Sequence, residues 1–190
     1  MKIYFTSPIR GIDQIEDHVR AIYEVIKKLN YVHVDNVIAR LDQGRSFYDK
    51  LDKGGKITHS SYFDETIDRI KMADINVFEC SVPSLGVGFQ IEKSIDYNKP
   101  TIVLYLKGNI PHFLAGTQND KLFLREYTKE NLAQVVSDVI EDAKHSADKR
   151  FNFFISPSLL SYLEEESKKF DMTKSAFIRR LILEHKKKGK

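Results

Sequence analysis

The sequence predicts an α/β fold, a doubly wound and mostly parallel sheet followed by a small C-terminal module. Short runs of β-formers alternate with stretches whose apolar residues recur at three- and four-residue spacing, which is what strands and the helices packed on them require. A strand, a Pro-Ser turn and a glycine-bearing helix start follow one another between Ile75 and Ser94. Charge also divides the chain. Of 30 Lys and Arg and 27 Asp and Glu, 11 and 5 lie from Lys149 onward, a net of +6, which leaves 19 and 22, a net of −3, before it.

Lys2 to Thr6 alternates and is rich in β-formers, so it reads as a buried first strand, followed by the loop Ser7-Pro8-Ile9-Arg10-Gly11. Ile12, Ile15, Val19, Ile22, Ile26 and Leu29 predict an amphipathic helix, and Tyr31 to Val37 a second strand. Ala39 to Tyr62 is charged, bears Gly44, Gly54 and Gly55, and shows no sustained period; it reads as a long loop with one helical turn, a binding segment or lid. Phe63, Ile67 and Ile70 resume helical spacing and lead into the strand from Ile75 to Cys80. Beyond the helix that opens near Gly86, Asn98-Lys99-Pro100 breaks the chain, and Thr101 to Tyr105 and Leu122 to Leu124 read as strands. Leu132, Val135, Val136, Val139, Ile140 and Ala143 stripe a last long helix beginning near Thr128. In such sheets ligands sit outside the carboxyl ends of the strands, so the loops after Thr6 and after Cys80 are the expected walls of a site.

With 190 residues, 42% apolar, the chain can bury a core. A single cysteine excludes an internal disulfide framework, and Cys80 reads as a small core residue. No apolar run of membrane-spanning length and no leader pattern stands out, so a cytoplasmic location is expected. The six histidines are scattered without metal-ligand spacing; neither a metal nor a cofactor is expected.

The passage Pro83-Ser84-Leu85-Gly86-Val87-Gly88 carries the chemistry. Free backbone N–H groups and the positive end of a helix dipole converge at a strand-to-helix turn, which can therefore hold a phosphate or carboxylate. The same turn also serves close packing of a helix on a sheet.

Tyr4-Phe5 with Ile9-Arg10-Gly11, then Ala73-Asp74, Pro83 to Phe89 and Lys99-Pro100, resemble the nucleoside 2-deoxyribosyltransferase family, nearest its 2'-deoxynucleoside 5'-phosphate N-hydrolase branch. The likeness spans roughly Met1 to Ala143 and runs without a gap from Ala73 to Tyr105. It implies a flavodoxin-like or Rossmann-like sheet and a pocket for a nucleotide or nucleoside. By the resemblance Tyr4 lies beside the reactive sugar, Arg10 and Gly11 belong to the loop that follows, and Ser84, Gly86 and Gly88 bind the 5'-phosphate. The family's nucleophilic Glu falls on Gln90, and a second family acid falls on Thr66. An amide has neither the charge nor the basicity of the carboxylate that attacks the anomeric carbon in retaining glycosyl transfer. Glu92, about 200° further round the helix, points away. On these grounds the site is expected to bind a nucleotide without cutting it.

Lys144 to Asp148 turns polar and small and reads as a linker between residues 1–143 and a module of residues 149–190. Arg150 to Ile155 reads as a strand, Ser156-Pro157 as a helix start, and Thr173 as the cap of a second helix striped by Phe177, Ile178, Leu181 and Ile182. This pattern resembles the ribbon-helix-helix DNA-binding family. That resemblance implies strand pairing between two chains, with Phe151, Phe153 and Ile155 inward, Arg150, Asn152 and Phe154 toward DNA, and Thr173, Lys174 and Ser175 anchoring a phosphate. Phe154 and Asp171 depart from the family's usual polar residue and glycine.

The expectation assembled from both parts is a nucleotide- or nucleoside-sensing DNA-binding regulator, a homodimer or tetramer with no membrane contact, its first domain catalytically degenerate. The alternative is an active 2'-deoxynucleoside or deoxynucleotide N-glycosidase or deoxyribosyltransferase that the tail dimerises.

Overall fold

In the computed structural model the described residues are 1–53, 57–146, 153–170 and 172–188. The chain divides into two compact units, Met1–Asp148 and Lys149–Lys190.

The first unit is built on a five-stranded sheet of β1 (Lys2–Thr6), β2 (Val32–His33), β3 (Ile75–Glu79), β4 (Thr101–Leu106) and β5 (Leu122–Tyr127). Its order is β2-β1-β3-β4-β5, with every neighbouring pair parallel. Its helices are α1 (Glu16–Lys28), α2 (Val37–Gln43), α3 (Arg45–Asp52), α4 (His59–Met72), α5 (Leu85–Asp96), the one-turn α6 (His112–Ala115) and α7 (Leu132–Ser146). The doubly wound class expected from the alternation of periods is therefore the observed one.

Strand parity explains how the helices are shared between two faces. Ile3, Phe5, Val77, Ile102 and Leu104 pack with Val19, Ile22 and Ile26 of α1 and Val136 and Ile140 of α7. The alternate residues Tyr4, Phe78 and Val103 pack with Ile70 of α4 and Val87 and Ile91 of α5. The chain steps from β1 outward to β2, then returns to the other side of β1 with β3. That reversal leaves a crevice outside the carboxyl ends of β1 and β3, where the two predicted loops lie.

Three segments differ from the sequence expectation. The second strand is only Val32–His33, because Asn36 caps α2 by accepting from the Ala39 amide at 3.1 Å and turns the chain into a helix at Val37. The region read as a long loop holds α2, α3 and the start of α4. Val37, Leu41, Phe47 and Leu51 are buried, a short-range pattern that Gly44 interrupts at φ +52° before a second period is visible. Gly54 and Gly55 lie outside the described residues. Thirdly, α7 continues through Lys144, His145 and Ser146, which the sequence assigned to a linker; Ala147 and Asp148 lie outside the described residues.

The second unit contains α8 (Pro157–Lys169) and α9 (Lys174–Lys188). Ser156 and Thr173 cap them as predicted, accepting from the amides of Leu159 at 3.4 Å and Ala176 at 3.2 Å. Phe177 is buried and stacks on Phe170 with ring centroids 5.6 Å apart. Among the described residues Phe153 to Ser156 are not in a strand of this single chain, Phe153 is exposed and Phe154 is fully exposed; the pairing expected there is with a second chain. Arg150, Phe151, Asn152 and Asp171 lie outside the described residues. Lys174 is held by Glu164, Nζ to Oε1 2.5 Å, and Ser175 is exposed.

Candidate active site

The crevice at the carboxyl ends of β1 and β3 is a cavity of about 420 Å³, a volume suited to a nucleotide-sized molecule. One wall is the start of α5. Ser84 is extended and caps that helix, its hydroxyl accepting from the Val87 amide at 3.3 Å, so the free amides of Leu85 and Gly86 and the helix dipole converge there. Neither Gly86 nor Gly88 has a positive φ, so the turn does not demand glycine for its backbone. A Cβ on Gly86 would meet nothing closer than Ser84 Oγ at 3.9 Å. What glycine supplies at position 86 is close approach to the helix start.

The loop after β1 lines the cavity as well. Its Arg10 lies over the ring of Tyr48, Cζ to centroid 4.4 Å, at the cavity edge. Gln90, six residues along α5 from the cap and so about 9 Å further down the helix axis, also lines the cavity. The Tyr4 hydroxyl donates to Gln90 Oε1 at 2.8 Å. Tyr4 itself is buried behind Gln90, and burial pushes its phenol well above the usual range, so it stays protonated and acts as a donor.

The structure thus brings Arg10, Ser84, Gly86 and Gln90 to one cavity, with Tyr4 one hydrogen bond away. Three predicted residues stand elsewhere. Gly11, with φ +74° and Val82 Cγ1 at 3.4 Å from where a Cβ would sit, lines a neighbouring cleft rich in carboxylates. Gly88 faces a small hollow beside Cys80 and Leu114. Thr66 is buried, its hydroxyl spent on the Tyr62 carbonyl at 2.7 Å. Cys80, read as a core residue, is half-buried.

Four residues that matter here were not singled out from the sequence. Arg40 is buried and reaches the cavity floor, where Nη2 donates to Thr6 Oγ1 at 3.3 Å and Nη1 pairs with Asp35. Asp35 is shared with Arg69, 3.8 Å away, and its charge keeps the buried Arg40 guanidinium protonated against desolvation. Tyr48 and Tyr62 also line the cavity. All but Asp35 come from the segment whose periodicity was hidden by its short helices. Among the described residues no carboxylate lines this cavity, and none form a cluster of three or more metal ligands. No helix among them is long and apolar enough to cross a membrane.

A 5-hydroxymethyl-dUMP N-hydrolase of Danio rerio is 30% identical over 148 residues, covering 74% of this chain and 96% of its own. The chain belongs to the deoxynucleoside N-hydrolase family. A second 5-hydroxymethyl-dUMP N-hydrolase, from Tetraodon nigroviridis, is 26% identical over 152 residues, 76% of this chain and 100% of its own. A Thermofilum pendens protein provisionally named a 2'-deoxynucleoside 5'-phosphate N-hydrolase is 28% identical over 148 residues, 78% of this chain and 93% of its own. No family profile matches the chain.

Membership of this family of hydrolases corrects the reading of the chain as a catalytically degenerate, nucleotide-sensing DNA-binding regulator. The relatives are enzymes by name, and none is named as a DNA-binding protein.

Proposed function

We propose that this chain hydrolyses the N-glycosidic bond of a 2'-deoxynucleoside 5'-monophosphate, releasing the free base and 2-deoxyribose 5-phosphate. The observation that carries the reading is the placement of an anion-binding helix start and the Tyr4–Gln90 pair in a single cavity, about 9 Å apart along α5. A phosphate on the amides of Leu85 and Gly86, with Arg10 beside it, sets the sugar against Gln90 and the base toward Arg40 and Tyr62.

Chemistry at C1' then proceeds without a covalent enzyme intermediate. The C1'–N bond breaks with its electron pair leaving on the base, and positive charge spreads over C1' and the ring oxygen. With Oε1 engaged by Tyr4, the Gln90 amide offers its Nε2 donors to the cavity, where they hold the oxygen of the incoming water. The water oxygen bonds to C1', and the proton it loses balances the charge on the departing base. Gln90 and Tyr4 position this water; they do not replace it.

Incubation with the four common deoxynucleoside monophosphates, with ribonucleotides and unphosphorylated deoxynucleosides as controls, tests this by chromatography. Base release from at least one deoxynucleotide is expected, together with a loss of at least tenfold when the phosphate is absent, since a charge-assisted phosphate contact contributes about 1.5–3 kcal/mol. No release from any of the four would overturn the proposal.

A further inference from the structure

We propose that Arg40 is the leaving-group residue of this site, binding the O2 carbonyl of a pyrimidine base as the glycosidic bond breaks. The substrates are then pyrimidine deoxynucleoside monophosphates. This rests on the hydrolase reading above and gives a chemical role to the residue against which that reading sets the base.

The position of Arg40 makes the argument. Its side chain is only 10% exposed, yet it lines the cavity, so the guanidinium has been taken out of water to face whatever occupies that space. Among the described residues its hydrogen bonds to Asp35 and Thr6 occupy Nη1 and Nη2 once each, of the five N–H donors an arginine carries. Asp35 and Thr6 hold the fork and leave donors for a ligand. The phosphate end lies at the start of α5, with Gln90 at the level of the sugar. Arg40 and Tyr62 line the same cavity as that helix start and Gln90, so a nucleotide held there by its phosphate can set its base against them.

Leaving-group chemistry requires such a group here. Departure of a base needs either a proton delivered to it or stabilisation of the anion it becomes. Among the described residues lining the cavity there is no carboxylic acid or histidine; besides hydroxyls such as Ser84, the acidic groups are the phenols of Tyr48 and Tyr62, weak acids, and burial pushes that of Tyr48 further up. The acid that the family resemblance placed at position 66 is a threonine bonded to the Tyr62 carbonyl. The base therefore leaves as an anion. On a pyrimidine, the electron pair received at N1 is delocalised onto O2, the exocyclic atom next to the breaking bond, which can accept two donors of a planar guanidinium. A purine presents only the ring nitrogen N3 at that place, and protonation at N7 would need the acid this cavity lacks. Arginine remains charged throughout and transfers no proton, so the proton from water goes to the base after it has left.

The full-length chain and its Arg40→Met and Arg40→Lys variants, each checked by circular dichroism, are assayed on dUMP, dCMP, dAMP, dGMP and 4-nitrophenyl 2-deoxyriboside 5-phosphate. The nitrophenolate of the last needs no help to leave. The wild type should prefer the pyrimidines by at least tenfold in kcat/KM. Arg40→Met should lower kcat on dUMP by about a hundredfold, the size of loss expected from removing one preorganised donor to a developing anion, with KM nearly unchanged and nitrophenolate release within about threefold of wild type. Arg40→Lys, which keeps the charge and loses the fork, should fall between. Equal losses on dUMP and the nitrophenyl substrate, a loss confined to KM, or faster purine turnover would overturn the role of Arg40. So would turnover of the nitrophenyl substrate but of no nucleotide, which leaves hydrolysis at C1' standing. Turnover of neither would overturn the hydrolase reading itself, and this role with it.

Discussion

The Tyr4 hydroxyl donates to Gln90 Oε1 at 2.8 Å, joining β1, which lies between β2 and β3, to the helix that begins at the anion-binding turn. Tyr4 is fixed by burial, and its ring meets Phe78 edge-on at 6.1 Å. A carboxylate at position 90 would receive the same hydrogen bond and face the same cavity, but with the charge and lone pair needed to attack C1'. Gln90→Glu is therefore expected to raise kcat for base release by at least tenfold and to open a covalent route. Mass spectrometry of quenched reactions should then show the variant carrying a deoxyribose phosphate adduct that the wild type lacks. An unchanged rate with no adduct would mean that Gln90 does not lie at C1'.

Gly86 separates the demands of the fold from those of the ligand. Its backbone is ordinary, and a methyl group would have room. Alanine in place of glycine within a helix stabilises by up to about 1 kcal/mol. Gly86→Ala should leave the melting temperature equal to or above that of wild type. The same methyl group stands where a phosphate would approach the Gly86 amide, so KM for the monophosphate should rise about tenfold, equivalent to about 1.4 kcal/mol of binding. Thermal melting and initial rates on the same preparation check both halves. A fall in stability with KM unchanged would place the ligand elsewhere.

How much of this was legible from the sequence follows from the range of the signals. The sheet was legible because Ile3, Phe5, Val77 and Ile102 sit in runs of β-formers, and α1 and α7 repeat their apolar period over three turns or more. The cap at Ser84 was legible because its signal is local. Arg40 was not, because its place in the cavity depends on Thr6 and Tyr62 arriving from other parts of the chain, with Asp35 just ahead of its own helix. A lone arginine in a charged stretch ordinarily marks a solvated surface. α2 and α3 were missed for a related reason, since helices of 7 and 8 residues complete too few turns to establish a period. Reading Gln90 and Thr66 as the loss of two family acids leaves out the Arg40 cation, which lines the same cavity as Gln90 while Thr66 does not.

The Asp35–Arg40 pair makes a stability prediction that needs no substrate. Both side chains are about nine-tenths buried, and Asp35 also accepts from the Asn36 amide at 2.8 Å just before α2 begins. Removing one member of a buried pair leaves the other charged and unpaired, at a cost of about 3–5 kcal/mol. Arg69, 3.8 Å from Asp35, is itself a cation and cannot replace the carboxylate for Arg40. Asp35→Ala should therefore lower the urea unfolding free energy by about that amount and should also slow base release. A loss below about 1 kcal/mol would show that the pair is solvated in the protein.

Glu79 gives the fold a measurable pH dependence. It is fully buried at the end of β3, where it accepts from the Ser81 hydroxyl and amide and, at 2.8 Å, from the Tyr127 hydroxyl, with no cation bonded to it among the described residues. Desolvation raises its pKa, and the hydrogen bonds from Ser81 and Tyr127 offset this only in part. An unfolded chain releases this proton near pH 4.3. Between that pH and the raised value, the folded chain keeps a proton that the unfolded chain has lost, so rising pH favours unfolding, by at most about 1.4 kcal/mol per pH unit. Half-buried His33 works in the opposite direction: desolvation lowers its pKa, and stability rises with pH toward the ordinary histidine value. Glu79→Gln removes the first effect and keeps the second. The stability difference between wild type and Glu79→Gln, measured by urea unfolding from pH 4 to 8, should accordingly fall with rising pH and level off once Glu79 is ionised in both states. A difference that rises with pH would mean that the buried carboxylate is stabilised by its neighbours more than burial penalises it.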